Sequence, residues 1–276
     1  MSGSWIRLAV RPSGAEQRDA VSAALFANGS LGVHEDGDLL VTHLEPDADI
    51  AAFERAVREA DDGATVESSE IPAVDWSVRW RDRIGAHTLG ALTVTPPWLA
   101  DQFDPRTTIV IEPQMAFGTG EHATTRGVVR LMQGAIRPGD QVADLGAGSA
   151  VLAIAAARLG AARVVAIEMD GDAIANAEEN VIRNAVGDRV TVVEGDAALL
   201  LPLVALVRVV LANIISSVLT ALLPVIARSL APGGVAILSG ILAEERPGML
   251  AVIADGGWRV LAEDAEEQWW SVCISR

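Results

Sequence analysis

Between Gln141 and Glu168 the chain reads QVADLGAGSAVLAIAAARLGAARVVAIE, which predicts a strand, a glycine turn, a helix opening at Ser149 and a second strand ending in an acid. This is the pattern of a nucleotide-cofactor cradle. Gly146 and Gly148 let the backbone turn sharply and approach a ligand that a β-carbon would obstruct, and the helix N–H groups point to the same place. Glu168 sits where a carboxylate accepts hydrogen bonds from both hydroxyls of a ribose. Asp144, two residues before the first glycine, decides between cofactors. A carboxylate facing a pyrophosphate is unfavourable, whereas an α-ammonium and a sulfonium favour it, so the cradle suits S-adenosylmethionine better than a nicotinamide dinucleotide.

The remainder of the chain sorts into two patterns. Over residues 1–72, WIRLAV, a helix from Gly14 to Asn28, the hairpin GVHE/DLLVTHL around Asp36-Gly37, a helix from Asp49 to Ala60 and ATVESSEI give the order βαββαβ of a small α+β ferredoxin-like domain. Residues 73–87 predict a linker helix on which Trp76 and Trp80 share a face. From 88 to 276, ALTVTP and TTIVIEP precede a helix from Thr124 to Ile136 and the cradle strand. ARVVAIE, RVTVVEG, RVVLAN and GVAILSG then alternate with helices at Asp172–Asn184, Ile215–Leu230 and Ala243–Ala254. Strands alternating with helices imply a parallel sheet covered on both faces. The last two strands, WRVLAED and QWWSVCISR, have no room for a helix between them, so the final strand should run antiparallel.

Composition excludes several classes. The single cysteine, Cys273, rules out an internal disulfide and a cysteine zinc site, and the four histidines lack metal-ligand spacing, so no metal is expected. A reducing cytoplasm fits, and the start MSGSWIRLAV carries no secretory pattern. Val209–Ala227 has no charge, but Asn213, Ser216, Ser217 and Pro224 interrupt it, so it is read as a strand and a buried helix rather than a membrane span. The net charge is −16 over the chain, and residues 1–72 hold 14 acids against five arginines. Phosphate repulsion therefore disfavours direct nucleic-acid binding.

In doubly wound sheets ligands sit beyond the carboxyl ends of the strands. Asp144, Glu168, Asp196 and Asn213 fall at four successive ends. Asp196 is either a turn residue or a contact to an adenine amino group. Asn213 is either a helix cap or an amide that accepts hydrogen bonds from an amine. The loop Met115–Thr125 is a candidate lid, with Phe117 near the reacting centre or in the core; His122 is not assigned as a base.

PQMAFGTGEHATT, DLGAGSAVLAIAAARLGA, ANII and LSGIL resemble the ribosomal protein L-eleven methyltransferases (PrmA family), which are seven-stranded Rossmann-like S-adenosylmethionine-dependent enzymes. The resemblance implies methyl transfer to lysine side chains and the N-terminal α-amine of a basic large-subunit ribosomal protein, the small domain holding that substrate. It implies cofactor contacts at Thr125, Gly146, Glu168 and Asn213, beside Asp144, Gly148 and Asp196 from the strand-end reading, with Asn213 the catalytic residue. Glu121, Ala150, Glu168 and Arg208 depart from the family pattern, where threonine, glycine, aspartate and an acid are usual. Neither a membrane nor nucleic acid is an expected partner, and a monomer is expected. The alternative is a methyltransferase of the same fold acting on a small molecule or another protein.

Overall fold

The structure, a computed structural model, describes residues 5–30, 32–71, 84–113, 118 and 120–276. The linker helix with Trp76 and Trp80, and Phe117 in the glycine loop, lie outside the described residues. The chain divides into two units, Met1–Arg83 and Ile84–Arg276.

In the first unit, β1 (Trp5–Arg11), α1 (Arg18–Ala27), β2 (His34–Asp36), β3 (Leu39–Leu44), α2 (Ile50–Ala60) and β4 (Thr65–Ile71) follow the expected order. The sheet runs β2-β3-β1-β4, with every neighbouring pair antiparallel. Ile6, Leu8 and Val10 alternate along β1 and pack with Val21 and Leu25 of α1 and Phe53 and Val57 of α2. The period of two on the strand and the helical spacing on α1 and α2 bring all of them into one apolar layer.

The second unit opens with β5 (His87–Leu89), β6 (Leu92–Thr95) and β7 (Thr108–Val110), a separate three-stranded sheet. β5 begins inside the segment read from the sequence as linker. Then come α3 (Ala123–Ala135), β8 (Gln141–Leu145), α4 (Val151–Arg158), β9 (Arg163–Glu168), α5 (Gly171–Arg183), β10 (Val190–Glu194) and α6 (Ala197–Val204). The unit is completed by β11 (Val207–Asn213), α7 (Ser216–Ser229), β12 (Leu230–Leu242), α8 (Arg246–Asp255), β13 (Arg259–Glu266) and β14 (Trp269–Ser275). The sequence pattern does not predict α6, because AALLLPLV has no helical alternation: Leu201 is buried while Leu199 and Leu203 remain exposed.

The main sheet has seven strands in the order β10-β9-β8-β11-β12-β14-β13. The first five are parallel, and β14 inserts antiparallel between β12 and β13. Residues alternate between two layers. Val142, Val164, Val209 and Ile237 face α3, α4 and α5, while Ala143, Val165, Val210 and Leu238 face α6, α7 and α8. The charge-free run Val209–Ala227 becomes part of β11 and most of α7, and among the described residues no helix is long and apolar enough to cross a membrane.

Two devices fix the loops that reach the candidate site. Asn176, Asn180 and Asn184 lie four apart on α5 and substitute for a missing strand at the edge of β7. Asn184 both accepts from the Val110 N–H (2.8 Å) and donates to its carbonyl (2.7 Å), Asn180 accepts from the Glu112 N–H (2.9 Å), and Asn176 donates to the Glu112 carbonyl (3.2 Å). Glu121 accepts from the Gly85 N–H and pairs with His87 Nε2, both at 2.9 Å. It therefore ties the start of this unit to the loop before α3.

Ala150 precedes α4 with φ of 63°. This left-handed backbone costs an L-residue about 1 kcal/mol or more, which glycine escapes. Ala150→Gly is expected to stabilise the fold by about 0.5–1 kcal/mol, net of the extra chain entropy of glycine, in urea unfolding.

Candidate active site

β8, β9 and β10 extend to one side of the sheet and β11 and β12 to the other, so the order reverses between β8 and β11. Beyond their carboxyl ends, where loops diverge and leave a crevice, lies a cavity of about 510 Å³. It is lined by Gly146 after β8, Glu168 and Met169 at the end of β9, Asp196 after β10, Asn213 at the end of β11 and Gly240 in β12.

The glycines have steric reasons to be there. Gly146 has φ of 68°, and a Cβ on it would stand 2.6 Å from Ile214 Cγ2. Gly240 has φ of 83°, and a Cβ on it would collide with the backbone carbonyl of Ile214. Ile214 itself is held by its N–H to the Ser239 carbonyl (3.1 Å), so the chain leaving β11 passes hard against both turns.

Glu168 accepts from the Gly148 N–H (2.7 Å) with Oε2, and from the Met169 (2.8 Å) and Asp170 (2.9 Å) N–H groups with Oε1. Three backbone donors hold the carboxylate in one orientation, and Oε2, which accepts only one of them, keeps capacity for a further donor such as a ribose hydroxyl. Gly148 itself does not line the cavity; it positions Glu168. Asp196 caps α6 by accepting from the Ala198 N–H (2.7 Å) and also lines the cavity, so the turn-residue and contact readings of it are compatible.

Asn213 is not a helix cap, since α7 is entered from Ile215. Its Nδ2 donates to Thr125 Oγ1 at 3.4 Å, and its buried Oδ1 has no protein partner. A buried amide oxygen left without a donor is costly, and this one lies on a residue of the cavity wall. Thr125 is fully buried behind Asn213 rather than in the wall, where its neighbour Thr124 stands.

Asp144 is placed differently from its sequence reading. It is fully buried, does not line the cavity, and accepts from the Ala153 N–H of α4 at 2.9 Å, while its Oδ1 has no partner. Burial pushes its carboxyl up to about 7, with the charge of Glu168 adding to the rise and the Ala153 hydrogen bond opposing it. Such a group adds a penalty to the fold when ionised. Arg208 is also far from the cavity. It lies near the amino end of β11, where Nη2 donates to the Ala135 carbonyl (3.0 Å) and Nη1 to the Gly233 carbonyl (3.3 Å).

Several wall residues were not legible in the sequence. His122 and Trp269 meet edge to face with ring centroids 4.8 Å apart. His122 is the N-cap of α3, its Nδ1 lying 2.7 Å from Thr124 Oγ1, and burial lowers its pKa, with the Arg126 charge adding to that effect. It stays a neutral ring at neutral pH. Arg126 donates to the Glu121 carbonyl on one loop and to Glu266 (2.6 Å) on the β13–β14 hairpin, while Arg130 grips Asp264 and Glu266. These pairs hold Trp269 over the cavity. Met169 and Ile215 are 73% and 65% exposed at the mouth, an apolar exposure that a bound ligand would cover.

A parallel sheet with an inserted antiparallel strand and a cavity at the switch point define the class of Rossmann-like methyltransferases. The family model for ribosomal protein L11 methyltransferase (PrmA) matches residues 38–276. The ribosomal protein L11 methyltransferase of Pelotomaculum thermopropionicum is 40% identical over 215 residues, covering 77% of this chain and 69% of the relative. That of Thermus thermophilus is 38% identical over 207 residues, covering 75% and 80%. A crystal structure of ribosomal protein L11 methylase from Lactobacillus delbrueckii subsp. bulgaricus superposes with a TM-score of 0.62 at 29% identity, covering 70% of this chain and 98% of that one. The chain belongs to the ribosomal protein L11 methyltransferase family.

The raised carboxyl of Asp144 sets a pH dependence. Stability from its protonated form is fully present below the unfolded-state pKa near 4 and is lost as pH rises to about 7. From pH 5 to pH 8, Asp144→Asn is expected to gain about 3 kcal/mol relative to the parent in urea titrations. An equal difference at both pH values would mean that the carboxyl does not titrate in this range.

Proposed function

We propose that this protein transfers methyl groups from S-adenosylmethionine to amines of ribosomal protein L11, both lysine side chains and the N-terminal α-amine. The observation that carries the reading is the pairing, in one cavity wall, of a carboxylate pre-oriented by three backbone N–H groups and an amide oxygen with no partner in the protein. Family membership supports the reaction and the substrate.

Glu168 would take the ribose hydroxyls and Asp196 the adenine edge. Gly146 leaves room for close approach, and Met169, Ile215 and Val218 supply apolar contact. Thr125, buried behind the wall, does not reach the cofactor as the resemblance implied; it holds the Asn213 amide from behind. When bound, S-adenosylmethionine supplies an electrophilic sulfonium methyl. Asp144 lies beneath the glycine turn, where its charge reaches the site through the protein rather than by contact. Its ionisation, unfavourable in the empty fold, would be favoured by a nearby cation.

A lysine has a pKa of about 10.4 and is almost wholly protonated at neutral pH. The apolar wall of Ile214, Ile215, Val218 and Leu222 removes water and lowers that pKa, so the amine enters neutral. Asn213 Oδ1 then accepts a hydrogen from the amine and turns its lone pair toward the methyl carbon, a gain from positioning. No general base is required beyond solvent, and His122 has a structural part in the wall. The 14 acids against five arginines in residues 1–72 suit a basic protein substrate.

Asn213→Ala is expected to lower methyl transfer by about a hundredfold while leaving affinity for S-adenosylhomocysteine within about threefold, by calorimetry. Equal losses in both would remove the orienting role. Intact-mass analysis of purified ribosomal protein L11 after incubation with enzyme and cofactor is expected to show gains in steps of one methyl group, and an unchanged mass would overturn the proposed reaction.

A further inference from the structure

At the end of the sheet opposite the active-site cavity lies a second concavity, of about 380 Å³, which the methyl-transfer reading does not use. Four arginines line it, Arg137, Arg208, Arg259 and Arg276, and no acidic side chain does. In a chain of net charge −16 with 21 basic residues, this is a local reversal of sign. The arginines come from separate elements: the segment after α3, the amino ends of β11 and β13, and the residue after β14. Folding alone brings them together. Leu131 and Leu261 supply apolar wall between them.

Two of the guanidinium groups are held in place. Arg208 donates to the Ala135 and Gly233 carbonyls, and its side chain is only 17% exposed. Arg276 stacks over Trp258 with its guanidinium carbon 5.8 Å from the ring centroid. The other two side chains, Arg137 and Arg259, make neither an ion pair nor a hydrogen bond among the described residues. The carboxylate nearest to Arg208 is Asp140, with Oδ1 3.9 Å from Arg208 Nε, and its other oxygen already accepts the Arg137 backbone N–H at 2.8 Å. Converging like charges repel one another, and a bound polyanion converts that repulsion into attraction. The guanidinium fork matches phosphate oxygens in pairs.

We propose that this concavity binds a compact phosphate-bearing anion, of pyrophosphate to tripolyphosphate size, at a site separate from methyl transfer. Enclosure on several sides favours a compact ligand over an extended backbone, which a linear basic stripe would suit better.

The test uses the full chain and follows its thermal midpoint with pyrophosphate, tripolyphosphate, sodium chloride or a single-stranded RNA oligonucleotide at matched ionic strength. Pyrophosphate at roughly ten times its dissociation constant is expected to raise the midpoint by about 3 °C over chloride. The double variant Arg137→Ser/Arg259→Ser should lose that shift while keeping its midpoint in chloride and its methyl-transfer rate, since neither side chain contributes to the fold or the active site. A shift of the same size in the double variant, the absence of any shift in the parent, or a shift with RNA alone would each overturn the proposal.

Discussion

The active site depends on one carboxylate. Glu168 ends β9 and accepts three backbone N–H groups, one from the glycine turn after β8 and two from its own turn. Parallel strands leave backbone donors unsatisfied where they end, and at a switch point the neighbouring loops part and cannot satisfy one another. A single side chain does so here. It locks the turn after β8 to the turn after β9 and keeps its own charge aimed into the cavity. The same contacts that complete the fold orient the carboxylate proposed to meet the cofactor.

The opposite side of the cavity is governed by steric closeness. Ile214 sits so near Gly146, through its side chain, and Gly240, through its backbone, that neither tolerates a β-carbon. That crowding carries Asn213 into the wall and leaves its amide oxygen without a protein donor, with Thr125 engaging the amide nitrogen from behind. An unsatisfied buried acceptor is retained at a cost to stability, which the proposed hydrogen bond from a substrate amine would offset. Asp144 tells a related story beneath the glycine turn, where one oxygen is satisfied by Ala153 and the other is not.

Local sequence order carried much of the fold because hydrophobic period and glycine placement act over short distances. The order βαββαβ, the cradle and the antiparallel last strand were legible in this way. Other features required distant segments to meet. The helix α6 forms because Leu201 finds a core, although its sequence lacks amphipathic spacing. β5 forms because Gly85 and His87 are fastened to Glu121. The asparagines of α5 look like ordinary polar helix residues until Val110 and Glu112 are laid beside them.

The sequence by itself determined the type of sheet, the strand ends at which polar residues gather and, through Gly146 and Glu168, the kind of ligand the crevice suits. Those features follow from backbone conformational limits and from periodicity, which need no distant partner. Only the tertiary structure decided that Asp144 lies under the turn rather than in the wall, and that Trp269 and His122 close the cavity. It also decided that Arg208 joins three other arginines at the far end of the sheet. Burial and like-charge convergence are set by which surfaces meet in space, and residues over a hundred positions apart meet only when the chain has folded.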